Sequence, residues 1–275
     1  MYVLVCPCVQ DPSLRAAGIT RQEDIAAFRG CIERCRKFHI DTVMLPCPET
    51  AYLGKGREPG SYESRLDTPA FEKILDEQER QVRTIIAERG APVAMVGVDA
   101  SPACGVNRTH RTETAEAGRG AFFARFPEVR AIDVKTFASY HIYLAGPLFS
   151  EAEQAYNREL FSLLTAHAFE VYLPQEVGDT SHTRGRDEHA AIFTRHREEL
   201  DRTDMVVAVI DGADADSGTS WEMGYAYARG IPVIALRTDF RRTGHAERVN
   251  LMLEESSVVV GRKEDLVGAL HSPFC

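Results

Sequence analysis

Short runs dominated by apolar and β-branched residues recur along this chain, and most are followed by a stretch with helical periodicity. In the first half the runs fall at residues 2–5, 42–45, 92–98 and 131–134, and in the second at 141–145, 170–173, 205–210 and 232–236. Between them, residues 22–38 carry Ile25, Phe28 and Ile32 at helical spacing, and residues 70–89 align Phe71, Ile74, Leu75, Val82, Ile85 and Ile86 in one apolar stripe. Further helices are expected at 150–167, 190–202 and 220–229. Strands that alternate with helices imply parallel sheet order. The expected fold class is therefore α/β, with two Rossmann or flavodoxin-like parallel-sheet domains in tandem.

The length of 275 residues suits two such domains. Residues 99–120 are polar and turn-forming, and 135–140 read as a connector, which sets expected domains at 1–138 and 139–275. A composition of 44% hydrophobic and 27% charged residues is that of a folded globular protein. The net charge of -9 repels phosphate backbones, so no nucleic-acid partner is expected, although a local pocket can still take a small anion. No apolar run approaches the roughly 18 residues that span a membrane, and the N-terminal run has neither a basic region nor a cleavage site. Cytoplasmic residence without membrane contact is the expectation.

In open parallel sheets, ligands sit beyond the carboxyl ends of the strands. The loops there hold nearly all the unusual residues: Cys6-Pro7-Cys8, Cys47-Pro48-Glu49 and Ser101–Gly105 in the first half, and Gly146-Pro147, Pro174-Gln175-Glu176, 211–219 and 237–239 in the second. After the strand at 205–210 a Gly-containing turn leads through Asp216 into a helix bearing Glu222. A carboxylate near a helix N-terminus is held ionised by the dipole and by free N–H groups, which suits a nucleophile, with Asp216 as the second carboxylate of an acid/base pair. The same residues read equally well as ordinary helix-start chemistry. Gly146, at the end of the strand at 141–145, would let backbone approach a ligand closely. Gln175 and Glu176 read either as groups for a base edge or as loop residues, Trp221 as packing or as a wall of the base pocket, and His196 either as a site residue or as a solvent-facing histidine.

The segments Ile142-Tyr143-Leu144-Ala145-Gly146-Pro147-Leu148-Phe149, 211–224, 226–233 and Val249-Asn250-Leu251-Met252 resemble the nucleoside 2-deoxyribosyltransferase family. The resemblance spans essentially the whole second half. It implies that Glu222 attacks the anomeric carbon to form a glycosyl-enzyme, that Tyr143 orients Glu222, and that Asp216 hydrogen-bonds and protonates the base. It further implies sugar contacts at Asn250 and Met252, with no cofactor, and the other substrate contacts expected are Gly146, Phe149, Gln175, Asp211 and Gly218. Asn250 and Met252 would reach a neighbouring subunit's site, so a homo-oligomer with shared active sites is expected. One departure stands out: the family often has Asp-Leu where this chain has His196-Arg197.

Seven cysteines in an intracellular chain suggest buried thiols, metal ligands or nucleophiles, and six of them fall at or before Cys104. Cys8, Cys47 and Cys104 each follow an expected strand, so a parallel sheet brings them to one edge. Three soft ligands suit an iron–sulfur cluster or zinc with one open position. The other reading is separate buried thiols, the role expected of Cys31 and Cys35. The surrounding motifs resemble the thiouracil desulfurase family, which implies a [4Fe-4S] cluster on Cys8, Cys47 and Cys104 with Glu49 and Ser101 nearby, and Cys6 makes the first ligand ambiguous. The expected function is cleavage or exchange of the N-glycosidic bond of a nucleoside or nucleotide, the sugar passing to another base or to water. The alternative is iron–sulfur-dependent desulfuration of thiolated bases, with the second half binding or processing the substrate.

Overall fold

The computed structural model describes residues 1–177, 185–242 and 247–271. The chain divides into two compact units that meet in sequence at Ser139 and Tyr140. Cys275 lies outside the described residues.

The first unit runs β1 (Tyr2–Val5), α1 (Gln22–Lys37), β2 (Asp41–Met44), α2 (Pro48–Leu53), α3 (Tyr62–Arg65), α4 (Pro69–Arg89), β3 (Met95–Gly97), the two-residue strands β4 (Arg108–Thr109) and β5 (Glu116–Ala117), β6 (Ala131–Asp133) and α5 (Val134–Ala138). Its main sheet is parallel, in the order β2-β1-β3-β6. All four residues of β1 are buried, because a central parallel strand is covered on both faces. The expected connector at 135–140 is instead largely helix: Asp133 caps α5 by accepting from Lys135 N at 2.9 Å. That helix packs on α1, where the buried Arg34 donates to Phe137 O at 2.8 Å and lies over its ring. Cys31 and Cys35 are buried in α1, as their spacing predicts.

The second unit runs β7 (His141–Ala145), α6 (Glu151–Ala166), β8 (Glu170–Tyr172), α7 (Pro174–Val177), α8 (Arg186–Arg202), β9 (Met205–Val209), α9 (Ser217–Ala228), β10 (Val233–Leu236), α10 (Leu251–Glu255), β11 (Val258–Val260) and α11 (Lys263–Leu270). Its five strands are parallel, in the order β11-β10-β9-β7-β8. Each sheet thus reverses strand order beside its first strand, as in flavodoxin-like folds, and the crevice at that reversal is where ligands bind. Tyr143 and Ala145 of β7 join Val206 and Ala208 of β9 and Met223 and Ala226 of α9 in one core cluster. No helix among the described residues is long and apolar enough to cross a membrane.

Candidate functional site

Helix α9 determines where Glu222 goes. Thr219, Met223 and Ala226 are its buried residues, and Glu222 lies three residues past Thr219 and four before Ala226, so it shares the face turned to the sheet. From β7, at the strand-order reversal, Tyr143 donates its hydroxyl to Glu222 Oε1 at 2.5 Å. Parallel register sets Tyr143 beside Tyr172 of β8, and their rings stack with centroids 5.3 Å apart. The Tyr172 hydroxyl meets His196 Nδ1 of α8 at 2.9 Å. His196 is half-buried in this contact, which overturns the solvent-facing reading.

The electrostatics differ from the expectation. Helix α9 begins at Ser217, so Glu222 stands in its second turn, beyond the free N–H groups that would hold a carboxylate ionised. Burial instead pushes its carboxyl up to about 7, with Tyr143 lowering it and nearby Asp216 raising it. Burial and the Glu222 charge hold the Tyr143 phenol far above its usual range, so it acts as a donor.

Asp216 is the N-cap of α9, with Oδ2 accepting from Thr219 N at 2.9 Å and Thr219 Oγ1 at 3.2 Å. Capping therefore occupies one oxygen and leaves Oδ1 without a hydrogen bond among the described residues. A Cβ on Gly218 would stand 3.1 Å from Asp216 Oδ2, so glycine keeps the space beside that carboxylate open.

Asp211 accepts from Thr238 N, Thr238 Oγ1 and Asp239 N at 2.6, 2.6 and 2.8 Å, which makes it a brace between the loops after β9 and β10. The Gln175 amide is taken by α6, accepting from Asn157 Nδ2 and donating to Gln154 O, both at 3.0 Å, rather than left free for a base edge. Close approach at Gly146 is to Asn157 Oδ1 and Val209, the atoms an added Cβ would meet at 3.0 and 3.4 Å. Asn250 caps α10 by accepting from Met252 N at 3.0 Å. Phe149 and Met252 are 78% and 70% exposed, so neither contributes to this unit's core. Trp221 is 46% exposed in an aromatic row with Phe193 and Tyr225.

In the first unit a cavity of about 740 Å³ is lined by Cys8, Cys47 and Cys104 together with Glu49, Ser101 and Arg57, and Cys6 does not line it. Cys6 is buried, and Cys104 beside it together with burial pushes its thiol up. Cys47 is the N-cap of α2, its sulfur accepting from Thr50 N at 3.4 Å and Thr50 Oγ1 at 3.2 Å. Ser101 donates to Glu49 Oε1 at 2.8 Å and accepts from Cys104 N at 3.1 Å, while Arg57 holds the other Glu49 oxygen at 3.0 Å. Asp99 Oδ1 gathers Val106 N and Asn107 N at 2.9 and 2.8 Å, closing the loop that carries Cys104. Cys8 and Cys47 are pushed up by burial, and Cys8 further by Cys104 and Cys47 beside it. Among the described residues, no group of three or more His, Cys, Asp or Glu is placed to hold a metal ion. Three thiols line this one cavity, and thiolates are the ligands an iron–sulfur cluster takes.

The signal for Tyr172 was available in the sequence as a tyrosine in the strand next to Tyr143. Its partnership with His196 was not, because the two residues lie 24 positions apart on different elements.

Residues 142–259 match the family model of nucleoside 2-deoxyribosyltransferase. An uncharacterized protein of Ureaplasma parvum serovar 3 is 30% identical over 122 residues, covering 39% of this chain and 76% of that protein. Among solved structures, the 2-deoxyribosyltransferase of Bacillus psychrosaccharolyticus is 24% identical, covering 49% of this chain and 99% of its own, with a TM-score of 0.42. A [4Fe-4S]-dependent thiouracil desulfidase is 17% identical, covering 59% of this chain and 98% of its own, with a TM-score of 0.34.

Proposed function

Because this chain, through its second unit, belongs to the nucleoside 2-deoxyribosyltransferase family, we propose that the unit breaks the N-glycosidic bond of a nucleoside or nucleotide through a glycosyl-enzyme on Glu222. The observation that carries the reading is the Tyr143–Glu222 hydrogen bond at the strand-order reversal. Glu222 attacks the anomeric carbon as a carboxylate. The C–N bond breaks, its electron pair leaves on the base nitrogen, and Asp216, through its uncommitted Oδ1, supplies the proton that makes the base a neutral leaving group. An incoming base or water then attacks the same carbon, gives its proton to Asp216 and frees Glu222. The same intermediate serves transfer and hydrolysis, and only the acceptor differs. The exposed Phe149, Asn250 and Met252 would complete a site shared between subunits of an oligomer.

Free base, separated by chromatography after incubation with a panel of nucleosides and nucleotides, tests this with and without an acceptor base. Release that needs no acceptor and is lost in Glu222→Ala means a hydrolase, and dependence on an acceptor means a transferase. Absence of turnover by the wild type across the panel removes the reading.

A second reading concerns the first unit and rests on the three thiols around one cavity. Cys8, Cys47 and Cys104 would hold a [4Fe-4S] cluster, which supplies an open iron able to bind sulfur. Glu49, held by Arg57 and Ser101, would orient a thiolated base and carry a proton to or from it. Iron and sulfide content after anaerobic reconstitution, wild type against Cys47→Ala, decides whether a cluster is held there.

A further inference from the structure

Four side chains from four elements form one line in the second unit. Glu222 of α9 accepts from Tyr143 of β7, the Tyr143 ring stacks on Tyr172 of β8 at 28°, and the Tyr172 hydroxyl meets His196 of α8 at 2.9 Å. The His196 ring stands edge-on to Tyr172, with centroids 5.8 Å apart, so it fixes that ring by contact as well as by hydrogen bond. Tyr172 and His196 are both half-buried, and neither has another hydrogen bond from its side chain among those described. A tyrosine ring at the edge of a sheet turns freely about two side-chain torsions unless its hydroxyl is held. The bond to His196 removes that freedom, and the stacked face then limits where the Tyr143 phenol can point.

We propose that His196 is a positioning residue for the Glu222 carboxylate, acting through the Tyr172 ring on the Tyr143 hydroxyl. It touches neither the sugar nor the base in this role. The proposal deepens the glycosidic reading and rests on it for its kinetic consequence, while its structural content stands on the four side chains alone.

The charged groups around the line make the effect separable from a simple charge effect. Glu222 feels Asp216 from the start of α9 and Tyr143 from β7, and Glu199 and Arg195 of α8 act on the two tyrosines and on the imidazole. Burial and Arg195 lower the His196 imidazole below its ordinary range, which favours its neutral form. Replacing it therefore removes a hydrogen bond and a packing surface rather than a positive charge. The Tyr172 phenol, pushed up to about 12, also stays neutral.

The test is the titration midpoint of the Glu222 side-chain carboxyl, followed by carbon-13 NMR on full-length protein and assigned by loss of the signal in Glu222→Gln. Because the Tyr143 bond lowers that midpoint, loosening it raises the midpoint. In His196→Leu and in Tyr172→Phe the expected shift is upward by about half a pH unit, with no further rise in the double variant, since both remove the same bond. His196→Asn, whose amide can meet the Tyr172 hydroxyl with either polarity, is expected to stay at the wild-type midpoint. Tyr172→Phe deletes one oxygen and keeps the ring, so it serves if the leucine variant does not fold. A midpoint unmoved in Tyr172→Phe, or additive shifts in the double variant, overturns the proposal. With a nucleoside that turns over, His196→Leu is expected to lower kcat about threefold to tenfold and leave KM within about twofold. If the wild type turns over nothing, the glycosidic reading falls while the NMR titration still decides the positioning role.

Discussion

Tyr143 and Glu222 are 79 residues apart in the chain, yet the Tyr143 hydroxyl donates to Glu222 Oε1 at 2.5 Å, the phenol on a central strand and the carboxylate on the helix that follows the neighbouring strand. The phenol holds one carboxylate oxygen, and the proposed reaction uses the other. Tyr143→Phe is expected to lower kcat about tenfold to a hundredfold, the worth of a hydrogen bond to a charged group. It also moves the acid limb of the rate profile to higher pH, because the lost bond favoured the charged form. An unchanged profile in the phenylalanine variant would show that the bond does not serve the reaction.

The Glu222 carboxyl, pushed up to about 7 by burial, ties activity and stability to pH in opposite senses. As a nucleophile it works only when ionised, so kcat/KM is expected to rise through a midpoint near 7 and to be lost as pH falls. Its folded-state value lies above the ordinary carboxylate value, so the folded protein binds the proton more tightly, and stability is lost as pH rises between about 4.5 and 7. Glu222→Gln keeps an acceptor for Tyr143 and cannot ionise. Thermal unfolding at pH 8 should therefore show the variant more stable than wild type by about 1–2 kcal/mol, a figure reduced for the solvent reach of a partly exposed carboxyl. Equal stability at pH 8 contradicts the burial argument.

Asp216 is the helix cap and, in the proposed reaction, the second carboxylate, and two substitutions separate the roles. Asp216→Asn keeps a capping oxygen and is expected to unfold within about 0.5 kcal/mol of wild type, whereas Asp216→Ala loses about 1 kcal/mol with the cap. Both should lose turnover, since neither can deliver a proton. Full activity in the asparagine variant assigns Asp216 to capping alone.

Gly97 ends strand β3 under the loop that carries Cys104. An added Cβ would stand 2.4 Å from Cys104 O and 2.7 Å from Val106 Cγ2, and the first of these is backbone that cannot swing aside. Gly97→Ala is expected to destabilise the first unit by about 1–3 kcal/mol and, on the proposed cluster reading, to reduce iron retention after reconstitution, because Cys104 must move. Wild-type melting together with wild-type iron content contradicts that account of the loop.

Much of this molecule was legible along the chain. Apolar runs alternating with amphipathic stretches fixed the parallel α/β class, since a strand covered on both faces must be apolar throughout, as β1 and β9 are. The loop positions of Asp216 and the three cysteines after their strands followed from the same alternation, and the close approach of Cys104 O at Gly97 leaves its residue type as a trace.

What the tertiary structure alone decided is which polar atoms are already spent. Asp211 and Gln175 read as ligand contacts, yet in this structure they hold partners from the loop after β10 and from α6. Helix α9 starts a turn earlier than its periodicity suggests, because Asp216 caps it, and that places Glu222 beyond the free N–H groups and leaves burial in control of its charge. His196 reads as a surface residue on a charged helix until the packing of α8 sets it against Tyr172. Periodicity reports which face of an element is buried. Hydrogen-bond partners between distant elements depend on register and packing, which no local pattern encodes.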